Sequence, residues 1–157
     1  FSVYEGPGKA DIMIGDYTLT YKKRVVSGGL NIFPKWADKE QKTIYYTSYN
    51  YKKPTLVKLN IYNRSKDVIM DSDGMLACSD VNSDGAIDVI NTNNGLLYLN
   101  NKLANTVSFA AGVSNSNIAS SDGLGHNSTA VDLNNDNKED FLLIKDHLIR
   151  RFYHLQN

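Results

Sequence analysis

Apolar and polar residues alternate with a period of two in one short run after another along the chain. DIMIGDY (residues 11–17), YTLTYKKRVV (17–26), TIYYTSY (43–49) and TLVKLNIY (55–62) are rich in Val, Ile, Thr and Tyr. These are the residue types that fit a pleated, half-buried surface. AIDVINT (86–92), GLLYLNN (95–101), STAVDL (128–133), DFLLIKD (140–146) and HLIRRFYHL (147–155) continue the pattern. Turn signals lie between the runs: SGG (27–29), YNRSKD (62–67), DSDG (71–74) and NTNNG (91–95). No window holds a 3.6-residue apolar stripe between helix caps, so the chain reads as all-β, with about thirteen strands.

The runs recur in larger units. GGLNIFPKWADKEQKTIYYTSY begins at Gly28 and DGMLACSDVNSDGAIDVINT begins at Asp73, 45 residues later. Each is a glycine-led strand, a polar turn and a second strand. Roughly 40–50 residues per four-stranded unit is the repeat of a β-propeller blade. The pattern therefore predicts propeller-like blades of four-stranded antiparallel sheets, three to four in number. Closed propellers have four to eight blades, so the expectation is an incomplete ring closed by self-association, a homo-oligomer. The stretch AGVSNSNIASSDGLGHNS (111–128) reads as an exposed loop.

Two acidic stretches carry the candidate chemistry. DVNSDGAID (80–88) places Asp80, Asn82, Asp84 and Asp88 at positions one, three, five and nine, with Gly85 at six. DLNNDNKED (132–140) repeats this spacing with Asp132, Asn134, Asp136 and Asp140, and Asn137 stands where the first copy has glycine. Calcium takes six to eight oxygens at about 2.3–2.6 Å from a tightly wrapped loop. The side chains named, with the backbone carbonyls of Ala86 and Lys138 at position seven, form two candidate calcium-ligand sets. Three converging carboxylates repel one another without a cation. Asp88 is expected at the start of a strand, facing away from the core. Asn91 occupies position twelve where an EF-hand needs glutamate, which excludes that loop type. A plain turn, with Asp and Asn satisfying loop amides, is the competing reading.

The 157 residues carry no net charge, so no excess of basic residues points to nucleic acid or an anionic membrane. The neutrality hides an asymmetry. Residues 1–78 hold 12 Lys and Arg against 8 Asp and Glu, whereas residues 79–157 hold 5 against 9. Eight of the ten tyrosines fall in the first part and 14 of the 18 asparagines in the second. Two segments are expected, 1–79 and 80–157. No apolar run approaches a membrane span, and no leader-like stretch opens the sequence, so an exported protein would be seen here in mature or trimmed form. The single cysteine, Cys78, excludes an internal disulfide.

The remaining residues suggest packing more than chemistry. Trp36 reads as blade packing. His126, His147 and His154 stand at no metal-binding spacing. YKKR (21–24) and YKK (51–53) read as solvated strand ends, and GPGK (6–9) as a turn without the rest of a phosphate loop. No nucleophile elbow is present, so no enzyme is expected.

The strand DIMIGDYT, the blade entry SGGLNIFPKWA and the pair TIYYTSY…TLVKLNIY resemble the propeller of TolB-type proteins over about residues 1–85. That resemblance implies a periplasmic protein-interaction module of the Tol–Pal system, with a peptidoglycan-associated lipoprotein as partner. From about residue 78 onward, DVNSDGAIDVINTNNGLLYLNN and GHNSTAVDLNNDNKEDFLLIKDHLIRRFYHLQN are similar to FG-GAP (VCBS-type) repeats of integrin-α-like propellers. That second resemblance implies calcium in the acidic hairpins. Together the two suggest a recombined or engineered hybrid: a non-catalytic scaffold with calcium-stabilised hairpins, periplasmic or extracellular if natural. A TolB-type interaction module is the alternative. A lectin-like propeller is a second alternative, although no aromatic cluster marks residues 111–128 for sugar.

Overall fold

The computed structural model describes residues 1–80, 84–91, 94–101 and 108–114, and the backbone of strands at 127–131, 140–145 and 148–153; at 79, 113 and 114 only the backbone is described. The protein is all-β. Its strands are β1 (Ser2–Gly6), β2 (Lys9–Gly15), β3 (Lys22–Val26), β4 (Asn31–Trp36), β5 (Thr43–Ser48), β6 (Thr55–Asn60) and β7 (Lys66–Asp71), followed by β8 (Leu76–Ser79), β9 (Asp88–Asn91), β10 (Leu96–Tyr98), β11 (Val113–Ser114), β12 (Asn127–Val131), β13 (Asp140–Lys145) and β14 (Leu148–Tyr153). They form four antiparallel sheets, ordered β1-β2-β3, β4-β5-β6-β7, β11-β10-β9-β8 and β12-β13-β14. Each sheet is a meander in which chain neighbours pair, as in a propeller blade, and none closes into a barrel. Among the described residues two sheets have the expected four strands and two have three. No helix there is long and apolar enough to cross a membrane.

The chain divides into two compact units, Phe1–Ser72 and Asp73–Asn157. In the first, Ile12, Val25, Val26, Ile44, Tyr46, Val57, Leu59 and Ile61 form one buried cluster, and Ile14 and Trp36 pack against it. This apolar burial supplies the main driving force for the unit. Burial raises the Tyr46 phenol to about 12, with Tyr51 contributing in the same direction. Ile44 through Ser48 are all buried, so β5 is covered on both faces although its sequence alternates. In the second unit Leu76, Ala77, Cys78, Ile87, Val89 and Ile90 are buried around β8 and β9.

The two sheets of the first unit are locked by a polar junction. Asn31, 1% exposed, donates from Nδ2 to the carbonyls of Ala10 (3.3 Å) and Gly28 (2.8 Å). Its Oδ1 accepts from Ser48 Oγ at 2.9 Å. Asn50 Nδ2 donates to the same Gly28 carbonyl at 2.7 Å. The Gly28 amide donates to Asp11 Oδ1, and Arg24 Nε reaches Asp11 Oδ2 at 3.0 Å. Gly28 and Gly29 have φ of 85° and 71°, and a Cβ on Gly29 would fall 1.6 Å from Asn50 Oδ1. The SGG signal therefore marks a turn that needs glycine twice over, for backbone angle and for space.

Two departures from the alternating pattern have local causes. Residues 17–21 belong to no strand. There the Asp16 carbonyl accepts from Leu19 N and the Asp16 side chain from Tyr21 N, which closes a turn before β3 begins. At the other end of the unit, Lys66 and Asp67 pair with Leu59 and Lys58, so strand β7 takes over part of the expected turn at 62–67. Replacing Asn31 with Ala strands the buried Ala10 carbonyl and removes the acceptor of the Ser48 hydroxyl, while the Gly28 carbonyl keeps the Asn50 amide. Urea unfolding should show a loss of about 2–3 kcal/mol, and clearly less for Asn50→Ala at the exposed end of the junction.

Candidate functional site

The first acidic stretch leads from β8 into β9. Asp80 Oδ1 accepts from the Asp84 amide at 2.9 Å and Oδ2 from the Gly85 amide at 2.8 Å. Asp84 Oδ1 accepts from the Ala86 amide at 2.8 Å. Gly85 has φ of 84°, the left-handed conformation expected at position six. The described part of the loop is thus a turn whose amides are satisfied by its own carboxylates. Asn82 lies outside the described residues.

Asp88 departs from expectation. It does begin β9, but its side chain is fully buried and Oδ1 accepts from the Asn100 amide at 2.8 Å. Asn100 Nδ2 also donates to the Ile87 carbonyl at 3.1 Å. Alternation predicts an outward side chain only where one face of a strand meets water, and β9 is buried at all four positions. Asn100 had no sequence signal for this role, because it stands twelve residues away in a stretch that reads as plain strand. Among the described residues no three His, Cys, Asp or Glu side chains gather to hold a metal. In the second stretch, Asp132, Asn134, Asp136 and Lys138 lie outside the described residues; Asp140 begins β13, where it pairs with Val131.

The first unit presents a different surface. Tyr4, Tyr17, Tyr21, Tyr51 and Tyr62 are exposed, as are Leu19 and Val68. Tyr17 is 99% exposed at the tip of the β2–β3 hairpin, in a chain where lysines follow at Lys22 and Lys23. Tyrosine offers large contact area with only two side-chain torsions to order, and is enriched at protein interfaces. Trp36 ends β4, half-buried against the core cluster. Gly6 and Gly8, both at positive φ, make GPGK the β1–β2 turn. His126, His147 and His154 lie outside the described residues.

Comparison with known proteins gives one consistent likeness. The Tol-Pal system protein TolB of Campylobacter jejuni subsp. jejuni serotype O:2 is 50% identical over 78 residues, which is 50% of this chain and 19% of that protein. The TolB of Wolinella succinogenes is 47% identical over 85 residues (54% and 20%), and that of Helicobacter pylori strain J99 is 46% identical over 87 residues (55% and 21%). The chain therefore spans about a fifth of the length of these curated relatives, and about half of it is a TolB-like segment. No family model matches the chain. No solved structure matches it either.

Asp80→Ala removes two amide acceptors at once. Denaturant unfolding in chelator should show a loss of about 1–2 kcal/mol, the cost of leaving those two loop amides without their acceptors.

Proposed function

We propose that this chain is a non-catalytic protein-interaction module of the TolB type, periplasmic, working within the Tol–Pal system. The observation that carries the reading is the identity of 45–50% with TolB proteins across about half of the chain. The exposed tyrosines of the first unit support it, since they offer contact area for a partner. The partner in this reading is a peptidoglycan-associated lipoprotein. Calorimetric titration of the purified chain with the soluble domain of such a lipoprotein should give saturable binding in the micromolar range or tighter, an affinity of about −8 kcal/mol. No heat at the highest soluble concentrations would remove that partner.

Calcium in the acidic hairpins is a separate proposal, supported by residue spacing and by the resemblance to FG-GAP repeats. In the first loop the ligands would be Asp80, Asn82, Asp84, the Ala86 carbonyl and Asp88. In the second they would be Asp132, Asn134, Asp136, the Lys138 carbonyl and Asp140. An ion that binds only the folded loops stabilises them in proportion to its concentration. Thermal unfolding in millimolar calcium should then lie several degrees above that in chelator, and Asp84→Ala with Asp136→Ala should erase the difference. Identical curves for the unaltered protein would leave both stretches as plain turns.

A further inference from the structure

In the first unit, residues of β2, β4 and β5 line a half-open cavity of about 190 Å³. Ile12, Met13, Ile14, Pro34, Trp36 and Ile44 line it together with Phe1, Gly15 and Lys35, and polar and apolar atoms share its surface about equally. A regular strand turns only alternate side chains to one side. Here two register shifts flank the wall. Between Ile32 and Lys35 strand β4 advances three residues against two on β5, and between Ile12 and Met13 strand β3 carries one extra residue opposite β2. Phe33, within the first shift, has φ of 55°, a sparsely populated angle for a bulky side chain. Such strain is found where a bulge re-aims neighbouring side chains at a functional surface.

The cavity adjoins the exposed hairpin tip. A Cβ on Gly15 would lie 2.8 Å from the Tyr21 carbonyl oxygen and 3.5 Å from Leu19 Cδ2, so the turn that displays Tyr17 also borders the mouth. Lys22 and Lys23 stand directly across the ladder from Gly15 and Ile14. Both lysines are exposed and make no ion pair among the described residues. The whole unit, residues 1–72, holds 12 Lys and Arg against 7 Asp and Glu, a net of +5.

Size and charge together select the occupant. Sites for small molecules and cofactors usually enclose about 300–1,000 Å³, and this cavity falls below that range. It suits one large apolar side chain, the kind of buried anchor around which protein interfaces are organised. We propose that the cavity is the anchor pocket for an acidic segment of a partner protein. One aliphatic or aromatic side chain of the segment enters between Trp36 and Ile14, and a carboxylate beside it meets Lys23, which shares the Ile14 face of the sheet. This rests on the reading of the chain as a protein-interaction module and adds to it the place and the chemistry of contact.

Trp36 is the only tryptophan, so its emission reports on the cavity alone. The probe is a short synthetic peptide with a central leucine flanked by glutamates, titrated at low salt against the unaltered chain. A saturable change in emission is expected. Replacing the central leucine by serine, or the glutamates by lysines, should weaken binding at least about tenfold. Lys23→Glu, on the surface, should do the same with an unchanged unfolding midpoint, Lys22→Glu on the opposite face should have a smaller effect, and added salt should weaken the acidic peptide most. No saturable change, or equal responses to all three peptides, would overturn the assignment. Lipoprotein binding unaffected by Lys23→Glu would also overturn the pocket while leaving the module reading intact. Saturable peptide binding with a silent lipoprotein titration would keep the pocket and remove that partner.

Discussion

A single buried amide, that of Asn31, holds the amino-terminal unit in its arrangement. It stands at the start of β4 and reaches the Ala10 carbonyl on β2, the Gly28 carbonyl in the turn between sheets and the Ser48 hydroxyl at the end of β5. An amide brings both donors and an acceptor, so one side chain satisfies groups of opposite polarity from three directions. A buried network of this kind stabilises only when complete, which ties its members together. The glycines follow from it: the chain must pass Asn50 closely enough that Gly29 can carry no side chain. With β2 fixed beside β4, Ile12 and Ile14 face Trp36 and Ile44 across the space between the sheets.

The two units solve the problem of acidic groups differently. In the first, Asp11 is 6% exposed and is neutralised by Arg24, which also reaches Glu5. In the second, Asp88 is held by the amide of Asn100, with Asn100 also clamping Ile87. Both carboxylates are compensated by named partners, as burial of charge demands. Asp80 and Asp84 sit nearer the surface and turn their oxygens onto loop amides.

Much of the fold could be read from the alternation. TIYYTSY and TLVKLNIY became β5 and β6 with their starts at Thr43 and Thr55, and GLLYLNN contains β10. The reading failed where a local hydrogen bond outweighed propensity. Tyr17 to Tyr21 are good strand formers, yet Asp16 closes them into a turn. The glycine-led strand expected after Gly28 became β4, but its irregularity was not legible, because Pro34 cannot donate to a ladder and the left-handed angle at Phe33 leaves no trace in the sequence. The spacing of the acidic stretch was legible and so was the need for Gly85. The burial of Asp88 was not, since it depends on what covers β9 and not on β9 itself. The pairing of Lys22 and Lys23 with cavity residues likewise arises from a register shift, which no single segment encodes.

Every ladder in the described fold joins strands that follow one another in the chain. Contacts made this way close short loops, so little chain entropy is lost before the pairing stabilises. Folding can begin in any hairpin without awaiting a distant segment. The same locality means that a sheet carries nearly all of its own pairing instructions. A stretch of roughly 45 residues could be gained, lost or exchanged between chains without rethreading the rest, and ancestry can then differ from one blade to the next.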